Sequence, residues 1–130
     1  MKLALVAIVV PDYDAAIAFY VGVMGFDLLE DTDQGAGKRW VRVAPKGGGS
    51  AFLLARAVTD RQIEAIGNQG GGRVWLFLET DNFDRDHAAM CAHDVHFEET
   101  PRTETYGKVA VFQDPFGNRW DLIQFRPTTV

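Results

Sequence analysis

Cysteine and runs of like charge are scarce in this sequence, and each scarcity removes a class of protein. Its single cysteine, Cys91, rules out an intramolecular disulfide and any site built from several thiolates. That usage suits a reducing compartment. The 13 Lys and Arg residues are scattered without a run and are outnumbered by 18 Asp and Glu, for a formal charge of -5. Such a balance offers no footprint for a nucleic-acid phosphate backbone. The apolar stretch from Leu3 to Val10 is short, is rich in β-branched residues and stops at Pro11-Asp12. It is too short to span a bilayer and lacks the layout of a secretory signal. No other stretch approaches a membrane span. The expectation is a cytoplasmic protein with no nucleic-acid and no membrane partner.

With 47% hydrophobic and 24% charged residues, the 130-residue chain is rich enough in apolar side chains for one packed domain. Leu3 to Val10 reads as a buried strand. Carboxylates at Asp12 and Asp14 are placed to cap a helix over residues 14–24, on which Ile17, Tyr20, Val21 and Met24 form an apolar stripe at helical spacing. Gly25 is placed to end it in the left-handed conformation. Strands are expected over residues 26–31, 39–44 and 50–55, parted by glycine-bearing turns.

The same order then recurs. Residues 73–80 read as a strand and Asp81-Asn82 as cap candidates. A helix over residues 83–93 carries the stripe Phe83, His87, Met90 and Cys91, and strands follow over residues 95–100, 108–113 and 119–125. Sliding the chain by 70 residues sets Leu5 on Trp75, Tyr13 on Phe83 and Asp14 on Asp84. An offset of 69 later sets Val43 on Phe112, Gly48 on Gly117 and Phe52 on Asp121. The spacing predicts a structural duplication, with module one about 1–66, a hinge about 67–72 and module two about 73–126. The hinge follows a short helical candidate at residues 59–66. The glycine runs at 47–49 and 70–72 lack the Lys-Ser or Lys-Thr of a phosphate loop and read as turns.

Duplicated βαβββ modules, with Asp12-Tyr13-Asp14-Ala15-Ala16-Ile17-Ala18-Phe19-Tyr20 leading into Met24-Gly25-Phe26 and Asp114-Pro115-Phe116-Gly117-Asn118 near the end, resemble the vicinal oxygen chelate superfamily. That is the glyoxalase, bleomycin-resistance and extradiol-dioxygenase group. The resemblance runs from Lys2 to Gln124. It implies an α+β fold whose two curved sheets surround a cleft, a divalent metal in that cleft in many members, and a homodimer. It does not choose among isomerases, dioxygenases, epimerases, thiol transferases and proteins that only sequester a drug.

In metal-using members the ligands resemble a His or Gln early in the first strand of each module and a Glu late in the last strand. Carried onto this chain, those positions are Leu5, Phe52, Trp75 and Asp121. The first three donate no electron pair to a hard cation, so no metal cofactor is expected. Asp121 reads either as a carboxylate paired with an arginine such as Arg42, or as an acid, base or ligand recogniser. Glu79, two residues beyond Trp75, shares its strand face and is the second catalytic candidate. His87 reads as a hydrogen-bonded core histidine and Cys91 as a small buried hydrophobe.

Strand alternation sorts what remains. Val41 and Val43 suit the helix-packed face, which sends Trp40 and Arg42 to the other side. Trp75, Phe77 and Glu79 share one face, Asp121 and Ile123 another, and Phe52 and Leu54 a third. If these faces converge, Trp40, Phe52, Trp75 and Phe77 wall a small-molecule cleft whose polar points are Arg42, Glu79 and Asp121. The alternative is that the aromatics close it as a second core. Tyr106 and Arg102 read as a rim of the cleft or as a solvated turn. The expected function is sequestration of an aromatic or amphipathic compound, or metal-free proton transfer by Glu79 or Asp121. A metal-dependent glyoxalase-like lyase or dioxygenase stays open as the alternative.

Overall fold

The first strand, β1 (Leu5–Val10), passes over its nearest sequence neighbours and pairs in parallel with a strand from the far end of its own half. In the computed structural model, which describes residues 1–127, the chain forms two compact units, Met1–Gly67 and the part from Asn68 onward. Both are α+β, with a curved sheet and few helices.

In the first unit, β1 is followed by α1 (Tyr13–Ile17), β2 (Asp27–Asp33), β3 (Arg39–Ala44), β4 (Ala51–Arg56) and the short α2 (Asp60–Ala65). The sheet order is β1-β4-β3-β2, parallel at β1–β4 and antiparallel elsewhere. Asp12 caps α1 by accepting from the Ala15 amide at 2.8 Å. A π-helical turn, Ala18–Val23, carries the helix on, and Gly25 closes it at φ +76°. The wider turn lets the adjacent Phe19 and Tyr20 both point inward, where their rings meet edge to face at 5.0 Å. The buried stripe is therefore Tyr13, Ala16, Phe19 and Tyr20. Of the expected stripe only Tyr20 is fully buried, because the uniform 3.6-residue period assumed for it does not hold through residues 18–23.

The second unit repeats the order with β5 (Leu76–Glu79), α3 (Phe83–Ala92), β6 (His96–Phe97), β7 (Arg102–Glu104), β8 (Gly107–Gln113) and β9 (Arg119–Phe125). The sheet runs β5-β9-β8-β6, with β7 pairing the other end of β8. Strand β7 was not expected. It forms because the expected strand over residues 95–100 shrinks to two residues and the chain re-enters the sheet after Pro101. Asn82 caps α3 through the Arg85 amide, and Gln124 of β9 accepts from the Phe83 amide at 2.7 Å. On α3, Phe83 and Met90 are buried and His87 is half-buried. Cys91 is exposed, which corrects its reading as a buried hydrophobe: it sits on the flank of a helix whose inward face is already filled by Phe83 and Met90.

Candidate functional site

Cross-strand partners share a sheet face, so register decides which side chains stand opposite the helix. In the second unit Phe112 pairs with Trp120 and the two rings stack, continuing through Phe97 and His87 to Phe83 of α3. Trp120, Leu122, Leu76 and Leu78 thus lie on the helix side. His87 is held there by aromatic stacking, with Cys91 Sγ 3.7 Å from its Nε2. The opposite face, open along β5 at Phe77 and Glu79 but buried at Val109, Val111, Asp121 and Ile123, carries Phe77 beside Asp121 and Glu79 beside Ile123. Phe77 is 57% exposed there. Trp75, half-buried, precedes them on the same face, and Gly70 packs so close that a Cβ on it would come within 2.8 Å of the Trp75 Cβ.

Asp121 is only 7% exposed and its Oδ1 is buried without a hydrogen-bond partner. Burial raises its pKa above the ordinary carboxylate value, opposed in part by the nearby Arg102 and Arg119 and reinforced by Glu99 and Glu98. Arg42, the partner expected for Asp121, belongs to the first unit and is bound to Glu30 at 3.1 Å, so that pairing is corrected.

Around Asp121 the two arginines are already committed. Arg102 donates to Glu104 at 2.6 Å and to both oxygens of Glu99 at 3.1 and 3.3 Å. Those bonds keep its guanidinium protonated at every ordinary pH. Arg119 is gripped by both oxygens of Glu98 at 2.8 Å, which holds the Glu98 pKa below the usual range. Glu99 also accepts from the Val111 amide at 3.0 Å. Of these groups, Arg119, Glu98, Glu99 and Glu104 were missed in the sequence. The Arg102-Thr103-Glu104 alternation was the signal that could have exposed the last.

In the first unit, Val43 pairs with Phe52 and Val41 with Leu54, so all four share the helix side. Phe52 stacks on Phe26 at 6.4 Å and is 8% exposed. Its assignment to the cleft wall is therefore corrected: Phe52 is core, and Leu53 takes the open face with the half-buried Trp40 and Arg42. The cause is one residue. The turn from Ala44 of β3 to Ala51 of β4 is one residue longer than the turn from Gln113 of β8 to Arg119 of β9. Beyond it the counterpart of Asp121 is Leu53. The shorter turn is built by Asp114, whose Oδ1 accepts from the amides of Phe116 and Asn118 while its Oδ2 accepts from Asn118 Nδ2 at 2.7 Å.

The metal that the resemblance implies for many members does not fit these residues. Leu5, Leu53 and Trp75 offer no ligand atom, and among the described residues no three His, Cys, Asp or Glu side chains gather in a group able to hold a cation. Nor is any helix among the described residues long and apolar enough to cross a membrane.

Known proteins share this sequence and fold. The family model of the Glyoxalase/Bleomycin resistance protein/Dioxygenase superfamily matches residues 2–122. The chain is 53% identical over 121 residues to an uncharacterized protein of Shewanella frigidimarina (strain NCIMB 400), covering 92% of this chain and 90% of that one. The crystal structure of TnmS3, an antibiotic binding protein from Streptomyces sp. CB03234, superposes with a TM-score of 0.78 at 32% identity, covering 97% of both chains. A glyoxalase/bleomycin resistance protein from the same organism gives a TM-score of 0.73 at 34% identity, covering 95% of this chain and 100% of that one.

Proposed function

Because the chain belongs to the glyoxalase/bleomycin resistance protein/dioxygenase superfamily and no group of His, Cys, Asp or Glu side chains able to hold a metal gathers among its described residues, we propose that it binds and sequesters a small aromatic or amphipathic compound. The observation that carries this reading is the open face of the second sheet, where exposed Phe77 and half-buried Trp75 flank a buried carboxylate. Aromatic surface left in water beside a few polar groups is the make-up of a small-molecule site. The first sheet's open face supports it with Trp40, Leu53 and Arg42. The likeness to an antibiotic binding protein points the same way. The protein works in the cytoplasm and its partner is a small molecule, not a nucleic acid or a membrane.

A second reading, metal-free proton transfer, is favoured by one observation: the raised pKa of Asp121 suits a carboxyl that gives or takes a proton on a bound compound, with Glu79 on the adjacent strand.

A panel of charged and uncharged aromatic compounds, followed by tryptophan fluorescence, tests the main reading. At least one compound quenches the signal, and Trp75→Ala weakens its binding by roughly 1–3 kcal/mol, the scale for loss of a buried aromatic anchor. If every compound that binds the parent binds Trp75→Ala as well, the open face of the second sheet is not the site. Turnover of a bound compound that Asp121→Asn abolishes without loss of binding would favour the second reading.

A further inference from the structure

The charge around Asp121 is lopsided, and this restricts what can sit on the open face. Three carboxylates, those of Glu98, Glu99 and Asp121 itself, stand with two guanidiniums, and one of these is also bound by Glu104. Arg102 is consumed by Glu99 and Glu104, and Arg119 by Glu98 and by the Gly72 carbonyl at 3.0 Å. Neither can turn to meet an anion without abandoning a charge-assisted bond that is worth more than an ordinary hydrogen bond. What is left over is negative.

The second, independent observation is the Oδ1 of Asp121, buried with no donor. A buried acceptor left unmade costs free energy, so a group that supplies the missing donor is bound with that cost recovered. Phe77 is the cross-strand neighbour of Asp121, and Trp75 precedes it on the same face. A ring lying on these aromatics would therefore carry its substituent to the carboxylate.

Resting on the small-molecule reading above, we propose that the compound is an aromatic amine in its protonated form, whose ammonium donates to Asp121 Oδ1 while its ring lies on Phe77 and Trp75. Aromatic carboxylates are disfavoured, since both guanidiniums beside Asp121, those of Arg102 and Arg119, are already bound to carboxylates. The ring faces add to the selection, because aromatic quadrupoles attract cations and repel anions.

Four ligands on one scaffold test this: 1-naphthylmethylamine, 1-naphthalenemethanol, 1-methylnaphthalene and 1-naphthoate, titrated calorimetrically at neutral pH. The amine is expected to bind at least tenfold more tightly than 1-methylnaphthalene, with the alcohol between them and the carboxylate weakest. In Asp121→Asn the amine and 1-methylnaphthalene are expected to bind within threefold of each other, while 1-methylnaphthalene keeps its parental affinity. The ranking with the parent protein decides the matter even if the variant does not fold. Naphthoate binding as well as the amine, or an amine preference that survives Asp121→Asn, would overturn the inference and leave the small-molecule reading standing. Failure of all four to bind would overturn both.

Discussion

At the scale of single residues, Asp121 holds the most informative conflict in the molecule. Its position in β9 is fixed by ladder bonds on both sides, so its side chain is carried into a desolvated place whether or not a partner waits there. Because burial raises its pKa in the folded state, the fold binds this proton more tightly than the unfolded chain does. The penalty is therefore absent below the ordinary carboxylate value and grows as pH rises toward the folded pKa. Asp121→Asn, which keeps the shape and removes the charge, is expected to stabilise the protein by about 1 kcal/mol at neutral pH. The gain should shrink toward zero as the pH is lowered to about 4. Asp31 and Asp86, whose pKa values are lowered by Arg39 and Arg85, act in the opposite sense, but they are common to both proteins and cancel in the difference. Thermal melts of the pair across that pH range check this, and a variant less stable than its parent at every pH would contradict it.

Elements matter here mainly through their turns. The Asp114–Asn118 turn is one residue shorter than its counterpart, and that difference fixes which face of β4 and of β9 meets the helices. Asp114 and Asn118 are 4% and 2% exposed, so the Asn118 amide and side-chain donors have no water to substitute for the Asp114 carboxylate, while the part-buried Phe116 amide does in part. Asp114→Ala strands the amides of Phe116 and Asn118 and the Asn118 side chain. It is expected to cost about 3 kcal/mol, read as a lower urea midpoint with an unchanged slope. Loss of less than about 1 kcal/mol would mean that the turn is set by Pro115 and by Gly117 at φ +99° rather than by the carboxylate.

For the whole molecule, Leu28, Leu29, Ile63 and Phe77 are large apolar side chains left exposed, a feature that suits an interface. We therefore expect a homodimer, in line with what the family resemblance implies. Light scattering at high micromolar protein should give twice the chain mass, and a monomer mass would refute the expectation. Much of the rest was legible in the residues themselves. Capping side chains, period-two strands and punctuating glycines are local signals, so Asp12, Asn82, Gly25 and the bounds of β3 and β9 stood where the sequence put them. The face shared by Trp75, Phe77 and Glu79 was equally readable, because alternation within one strand needs no partner. Register between strands is not local. Phe52 went to the core and Leu53 to the open face because a turn grew by one residue, and a repeat offset counted along the chain cannot locate that insertion. Arg42 and Asp121 likewise found their neighbours through pairing across strands, Arg42 with Glu30 and Asp121 among Arg102, Glu99 and Arg119. The sequence by itself determined where most of the strands and helices lie, though not β7, the shortness of β6 or the π-helical turn at residues 18–23. Only the tertiary structure decided which side chains met, because a contact depends on the register of two segments and each segment carries only its own half of that information.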